Sequence, residues 1–121
     1  MDITPDEIMV VCIAHQLQDG DVVVQGLATP LVTAGYLLAR YTHAPHLYFA
    51  SAIGQGMCRH PAPLSISQIE SLWLDRALSN IGFARAATEI LPSLRPKEFF
   101  RPAQVDPQGN INNIAFGKDY N

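Results

Sequence analysis

The chain of 121 residues is 48% hydrophobic, carries a net charge of −3 with a pI of about 5.7, and holds two cysteines. That composition suits one globular domain over 1–121 with one core. It excludes a basic nucleic-acid surface or a polybasic membrane patch, since no Lys/Arg cluster is present, and no apolar run approaches the roughly 18 residues of a membrane span.

No basic start followed by an apolar stretch opens the chain, so a secretory leader is not expected. Two thiols without an export signal point to a reduced, cytoplasmic protein, not a disulfide framework. Thr4-Pro5-Asp6-Glu7 starts a helix: Thr4 can cap, Pro5 suits the first helical position, and Glu7 completes a capping box. Ile8, Val11, Cys12 and His15 recur at helical spacing and predict the buried stripe. Cys12 is read as a small core residue, His15 as a helix-edge residue, and Gly20 as the stop.

Val22-Val23-Val24 is β-branched and continuously apolar, as a buried parallel strand is. Gly26 closes it. Thr29-Pro30 repeats the cap-plus-proline signal, and a helix follows to about Tyr41 with Leu31, Ala34, Leu38 and Tyr41 as its stripe. A strand, a glycine loop and a helix start in that order bring backbone N–H groups to a sheet's carboxyl edge. Ala44-Pro45 breaks the chain, and Leu47 to Ser51 reads as a second buried strand. Ala52 to Pro63, with Gly54, Gly56, Pro61 and Pro63, reads as loop. Cys58-Arg59-His60 lies within it, but neighbours in sequence seldom present a nucleophile to its base. His43, His46 and His60 lack zinc-ligand spacing, so no metal site is expected.

Ser67-Gln68-Ile69-Glu70 is a second capping box, opening an amphipathic helix to about Ser79. Asn80 to Gly82 breaks it, and Phe83 to Leu91 reads as a further helix. Pro92 and Pro96 mark a linker, and Glu98-Phe99-Phe100-Arg101 begins another strand. Ala103 to Gly117, AQVDPQGNINNIAFG, then places a turn at Asp106-Pro107-Gln108-Gly109-Asn110. Pro107 presets φ, and Gly109 can take the positive φ of a tight reversal. Asn110, Asn112 and Asn113 put amides beside it. Alternating helix and strand signals over residues 1–48 predict an α/β fold, an open and mostly parallel sheet with helices on its faces.

AQVDPQGNINNIAFG resembles the AQxDxxGNxN segment of the β-type subunits of family I CoA-transferases, the glutaconate CoA-transferase group. Gly26-Leu27-Ala28-Thr29-Pro30-Leu31 resembles that family's glycine-containing loop after the first strand. Thr42-His43-Ala44-Pro45, followed by Leu47-Tyr48-Phe49, resembles its turn into the second strand. The likeness runs from about Glu7 to Tyr120 and is weaker between Arg59 and Leu94. It implies the same open, mostly parallel sheet, an α-type partner subunit, and an acyl-CoA thioester as substrate with no permanently bound cofactor. It also implies a chain about twice this long, with a later CoA-contacting loop outside these residues.

The family's chemistry turns on a glutamate after the second strand. It attacks an acyl-CoA to give a mixed anhydride, and CoA returns to form a glutamyl thioester. In this chain the matching stretch is Tyr48-Phe49-Ala50-Ser51-Ala52, and Ala50 stands at the expected glutamate. No carboxylate lies between Asp21 and Glu70 to replace it, and Ser51 is a weak nucleophile candidate with no evident base beside it. Heteromeric members of the superfamily without this glutamate hydrolyse or decarboxylate CoA thioesters, so the resemblance implies one of those reactions here, with catalytic groups drawn from the partner. Gly26, Thr29, Ala50, Ser51, Gly54, Asn110 and Asn112 are the expected lining of the cleft. The alternatives are a catalytically silent subunit of such a complex, or an ordinary transferase whose glutamate comes from elsewhere.

Overall fold

In the computed structural model, the described residues are 2–26, 29–51, 56–60 and 75–114. The chain begins with helix α1 (Pro5–His15). Its capping box is formed as expected: Thr4 Oγ1 accepts from Glu7 N–H at 3.3 Å, and Glu7 Oε2 accepts from Thr4 N–H at 2.8 Å. Strand β1 (Val22–Val24) and helix α2 (Pro30–Thr42) follow, then β2 (Tyr48–Ser51). The sheet continues through β3 (Gly56–Cys58) and β4 (Ser79–Asn80), in the order β1-β2-β3-β4.

The fold is α/β with helices against a mixed sheet. β1 and β2 are parallel, whereas the β2–β3 and β3–β4 pairs are antiparallel. The expected predominance of parallel pairing therefore gives way beyond β2. Residues 56–58, expected as loop, form a strand because Cys58 fills the core opposite Phe49 in the β2–β3 register. On the far side of β1 a single residue, Lys97, bridges Val23 in parallel. Lys97 N–H donates to Val22 O at 2.8 Å, and Val24 N–H donates to Lys97 O at 2.9 Å. Backward, Arg95 lies in the left-handed region at φ +46° and gives its N–H to Pro92 O at 3.4 Å, so it does not extend that pairing, and the strand expected at Glu98 to Arg101 does not form.

The core gathers Ile13, Ala14 and Leu17 with Val23, Tyr36, Ala39, Ala44, Leu47, Phe49 and Cys58. The expected α1 stripe is thus off by about one position. Ile8, Val11, Cys12 and His15 are exposed, and Cys12 is a surface thiol. The cause lies in the facing helix. A Cβ on Gly35 would stand 2.5 Å from Ile13 Cγ2, so the bare backbone of α2 admits Ile13 and sets the rotation of α1. The buried residues of α2 are Thr33, Gly35, Tyr36 and Ala39, not Leu31, Ala34, Leu38 and Tyr41; Tyr41 is 80% exposed.

The helix expected over Ser67 to Ser79 lies mostly outside the described residues; Asp75 and Arg76 are helical, but Ser79 belongs to β4. Helix α3 (Phe83–Arg85) passes through a π-helical turn (Ala86–Ile90) into α4 (Leu91–Leu94). This helical stretch runs to Leu94, past the expected end at Leu91. Strands β5 (Gln104–Val105) and β6 (Ile111–Asn112) make a separate antiparallel hairpin. Its turn has Gly109 at φ +85°, as the sequence requires. No helix among the described residues is long and apolar enough to cross a membrane.

Candidate functional site

Because β1 and β2 run parallel, their carboxyl ends emerge side by side. Gln25 N–H donates to Ala50 O at 2.9 Å and ties the two exits together. Gly26 follows Gln25, and a Cβ built on it would lie 3.8 Å from Thr29 Cγ2. Thr29 precedes Pro30, the first residue of α2. The sheet edge therefore brings together four of the expected residues: Gly26, Thr29, Ala50 and Ser51. Ala50 and Ser51 are buried, at 2% and 6% exposure. In the β2–β3 register they face Met57 and Gly56. Gly54 lies outside the described residues.

Thr29 departs from its expected part. It occupies the N-cap position of α2, but its side chain makes no capping bond. Its Oγ1 and that of Thr33, one turn on, are buried without a hydrogen-bond partner among the described residues. A buried hydroxyl without a partner is costly, so two in neighbouring turns mark a place where polar ligand atoms could be received. The positive end of the α2 dipole points the same way.

Asn110 and Asn112 are placed in the hairpin. Asn110 Nδ2 donates to Asp106 Oδ2 at 2.7 Å, and Asn112 Nδ2 donates to Gln104 Oε1 at 2.8 Å. Asp106 Oδ1 also accepts from the N–H groups of Gln108 and Asn110. The Asn110 side chain, and then the backbone N–H groups, hold the Asp106 carboxyl below the usual carboxylate range. These amides brace the turn.

Sequence reasoning missed three residues at the carboxyl edge. Gln25 is 8% exposed, and a polar residue directly after Val22-Val23-Val24 was its signal. Thr33 is 2% exposed, and its signal was a hydroxyl one helical turn after Thr29. Glu98 had none, because only the Lys97 bridge brings it beside β1. Burial, and behind it the Glu98 charge, pushes the Tyr36 hydroxyl upward, while that hydroxyl donates to Val24 O at 2.9 Å. Cys58 is 1% exposed, and burial raises its thiol despite the opposing charge of Arg76. Cys58 is turned into the core, whereas Arg59 and His60, which follow it, are exposed. Among the described residues no three His, Cys, Asp or Glu side chains gather to hold a metal.

The decarboxylase AibA/AibB has a chain 32% identical to this one, with a TM-score of 0.74, matched over 96% of this chain and 48% of its own. The chain belongs to the family I CoA-transferase superfamily. A variant of the same decarboxylase, with one cysteine changed to alanine, matches at 33% identity with the same coverage and TM-score. Glutaconate coenzyme A-transferase from Acidaminococcus fermentans shares the fold, with 24% identity and a TM-score of 0.72 over 96% of this chain and 45% of its own. This superfamily chain spans about half the length of the solved chains it matches. No protein-family model matches it, and no curated protein sequence does.

Proposed function

We propose that this chain is part of a β-type subunit which, with an α-type partner, acts on an acyl-CoA thioester by decarboxylation or hydrolysis instead of CoA transfer. The observation that carries the reading is the carboxyl edge of β1 and β2. Gln25, Gly26, Thr29 and Ser51 converge there around Ala50. An alanine methyl cannot attack an acyl-CoA or carry the glutamyl thioester that transfer needs.

Both alternatives to transfer develop negative charge on the thioester oxygen. In hydrolysis, water adds to the carbonyl carbon, the oxygen takes the π-bond pair, and CoA leaves as the thiol after proton transfer. In decarboxylation, the pair of the broken C–C bond moves into the thioester-conjugated system, and carbon is then protonated. Neutral donors at a helix N-terminus serve either oxyanion. The Thr29 and Thr33 hydroxyls would supply them here, with the acid–base groups coming from the partner subunit. Similarity to a decarboxylase supports decarboxylation.

The test is a thioester assay on the co-purified complex, using an acyl-CoA library with and without acetate. Loss of CO2, or release of free CoA, is the expected result, and Thr29→Val should lower kcat by about 100- to 1,000-fold on the scale of oxyanion donors. Transfer of CoA to acetate would overturn the reading and direct attention to Glu98 as a carboxylate beside β1.

The hairpin favours a second reading, a catalytically silent subunit, because Asn110 and Asn112 already serve their own turn. Under it, Asn110→Ala and Asn112→Ala leave turnover of an intact complex unchanged.

A further inference from the structure

A second site lies at the opposite end of β2. Arg40, Pro45, His46, Leu47, Tyr48, Arg59 and His60 line a cavity of about 160 Å³. Arg40 comes from the last turns of α2 and Pro45 to Tyr48 from the entry to β2; Arg59 and His60 follow β3. The candidate cleft is at the exit of β2, so the two places are separated by the length of the strand.

Two fixed cations face this cavity in a chain whose net charge is −3. A guanidinium stays protonated at any working pH. Arg40 lies over the Phe49 ring, 5.8 Å from its centroid, and Arg59 lies over the Tyr48 ring at the same distance. Stacking holds each fork in place before any ligand arrives. Arg40 also donates to Arg59 O and approaches His60 Nδ1 at 3.2 Å. Arg40 can only donate, so His60 Nδ1 is the acceptor and Nε2 carries the proton, as a further donor. The only carboxylate bonded to a lining residue, among the described residues, is Asp19: it takes the His46 N–H at 2.6 Å and Nδ1 at 2.8 Å. Neither arginine forms an ion pair with a carboxylate among the described residues.

We propose that Arg40, Arg59 and His60 form a phosphate site, taking a phosphate dianion either free or as a phosphomonoester. Guanidinium forks match the oxygens of a phosphate group in pairs, and His60 Nε2 supplies a donor beside them. The cavity accommodates one phosphate group, with any organic remainder outside. The site does not depend on the reaction at the other end of β2.

The experiment is calorimetric titration of the full chain with inorganic phosphate, and separately with phenyl phosphate, against chloride at equal ionic strength. Saturable one-to-one binding of phosphate is expected, and Arg59→Gln or Arg40→Gln should weaken it at least 10-fold. Arg59 is exposed, so Arg59→Gln should keep the wild-type circular dichroism and Tm even if Arg40→Gln, which loses its stack on a core ring, does not. Tighter binding of phenyl phosphate would assign the site to a monoester, and equal or weaker binding would assign it to free phosphate. No saturable binding above chloride, or binding unchanged in a folded Arg59→Gln protein, would overturn the site.

Discussion

At Gly35 the packing of the helical layer depends on the absence of one methyl group. Gly35→Ala would bring a Cβ to 2.5 Å from Ile13 Cγ2 and 3.2 Å from Val10 O. Overpacking of this kind costs about 1–3 kcal/mol, read as a lower urea midpoint with an unchanged m-value. The same residue explains why the α1 stripe was not legible. Helical spacing finds an apolar face, but α1 has apolar residues almost all round, and a glycine on another helix selects Ile13, Ala14 and Leu17. Cys12 is left exposed by the same choice, so it should react with a thiol reagent in the native protein while Cys58 reacts only on unfolding. Asp106 gives a prediction in pH. Its hydrogen bonds from Asn110 and the turn hold its folded pKa below the ordinary aspartate value, so its contribution to the hairpin is complete above that ordinary value and lost as pH falls through the lowered one. The Gln108 and Asn110 amide signals should report that loss in an acid titration by NMR, and Asp106→Asn should abolish the transition.

Among elements, the best-read ones carry their own signals. The capping box places α1 within a residue, the Val22-Val23-Val24 run places β1, and Pro30 places α2. Thr4→Ala should cost about 1 kcal/mol of stability, checked by thermal denaturation. The poorly read elements depend on contacts distant in sequence. β3 contains a glycine and sits among loop residues, yet it forms because Cys58 meets Phe49 across the sheet. The candidate site divides along the same line. Gly26, Thr29, Ala50 and Ser51 were legible because a strand and its following loop are local features. Thr33 and Glu98 were not, since one waits on the helix's rotation and the other on a bridge to β1. Ala50→Glu tests the edge they share. The variant would place a carboxylate where the resemblance expects the transferase glutamate, and in the assembled complex it should gain a borohydride-sensitive glutamyl thioester if the proposed cleft is competent.

For the whole molecule, Lys97 is the residue on which the parts converge. Its backbone closes the second side of β1, its ammonium meets Asp21 Oδ2 at 2.7 Å, and the same ammonium donates to Gln16 O across 81 residues of chain. The β1–α2–β2 unit needs only near contacts and can collapse early, whereas the Lys97 bridge is a long closure formed late. During synthesis, therefore, β1 exists for a time as an open edge with unpaired N–H and C=O groups, the kind of edge that recruits strands from other chains. A nascent polypeptide halted before Pro96 should self-associate, and one released after Lys97 should not.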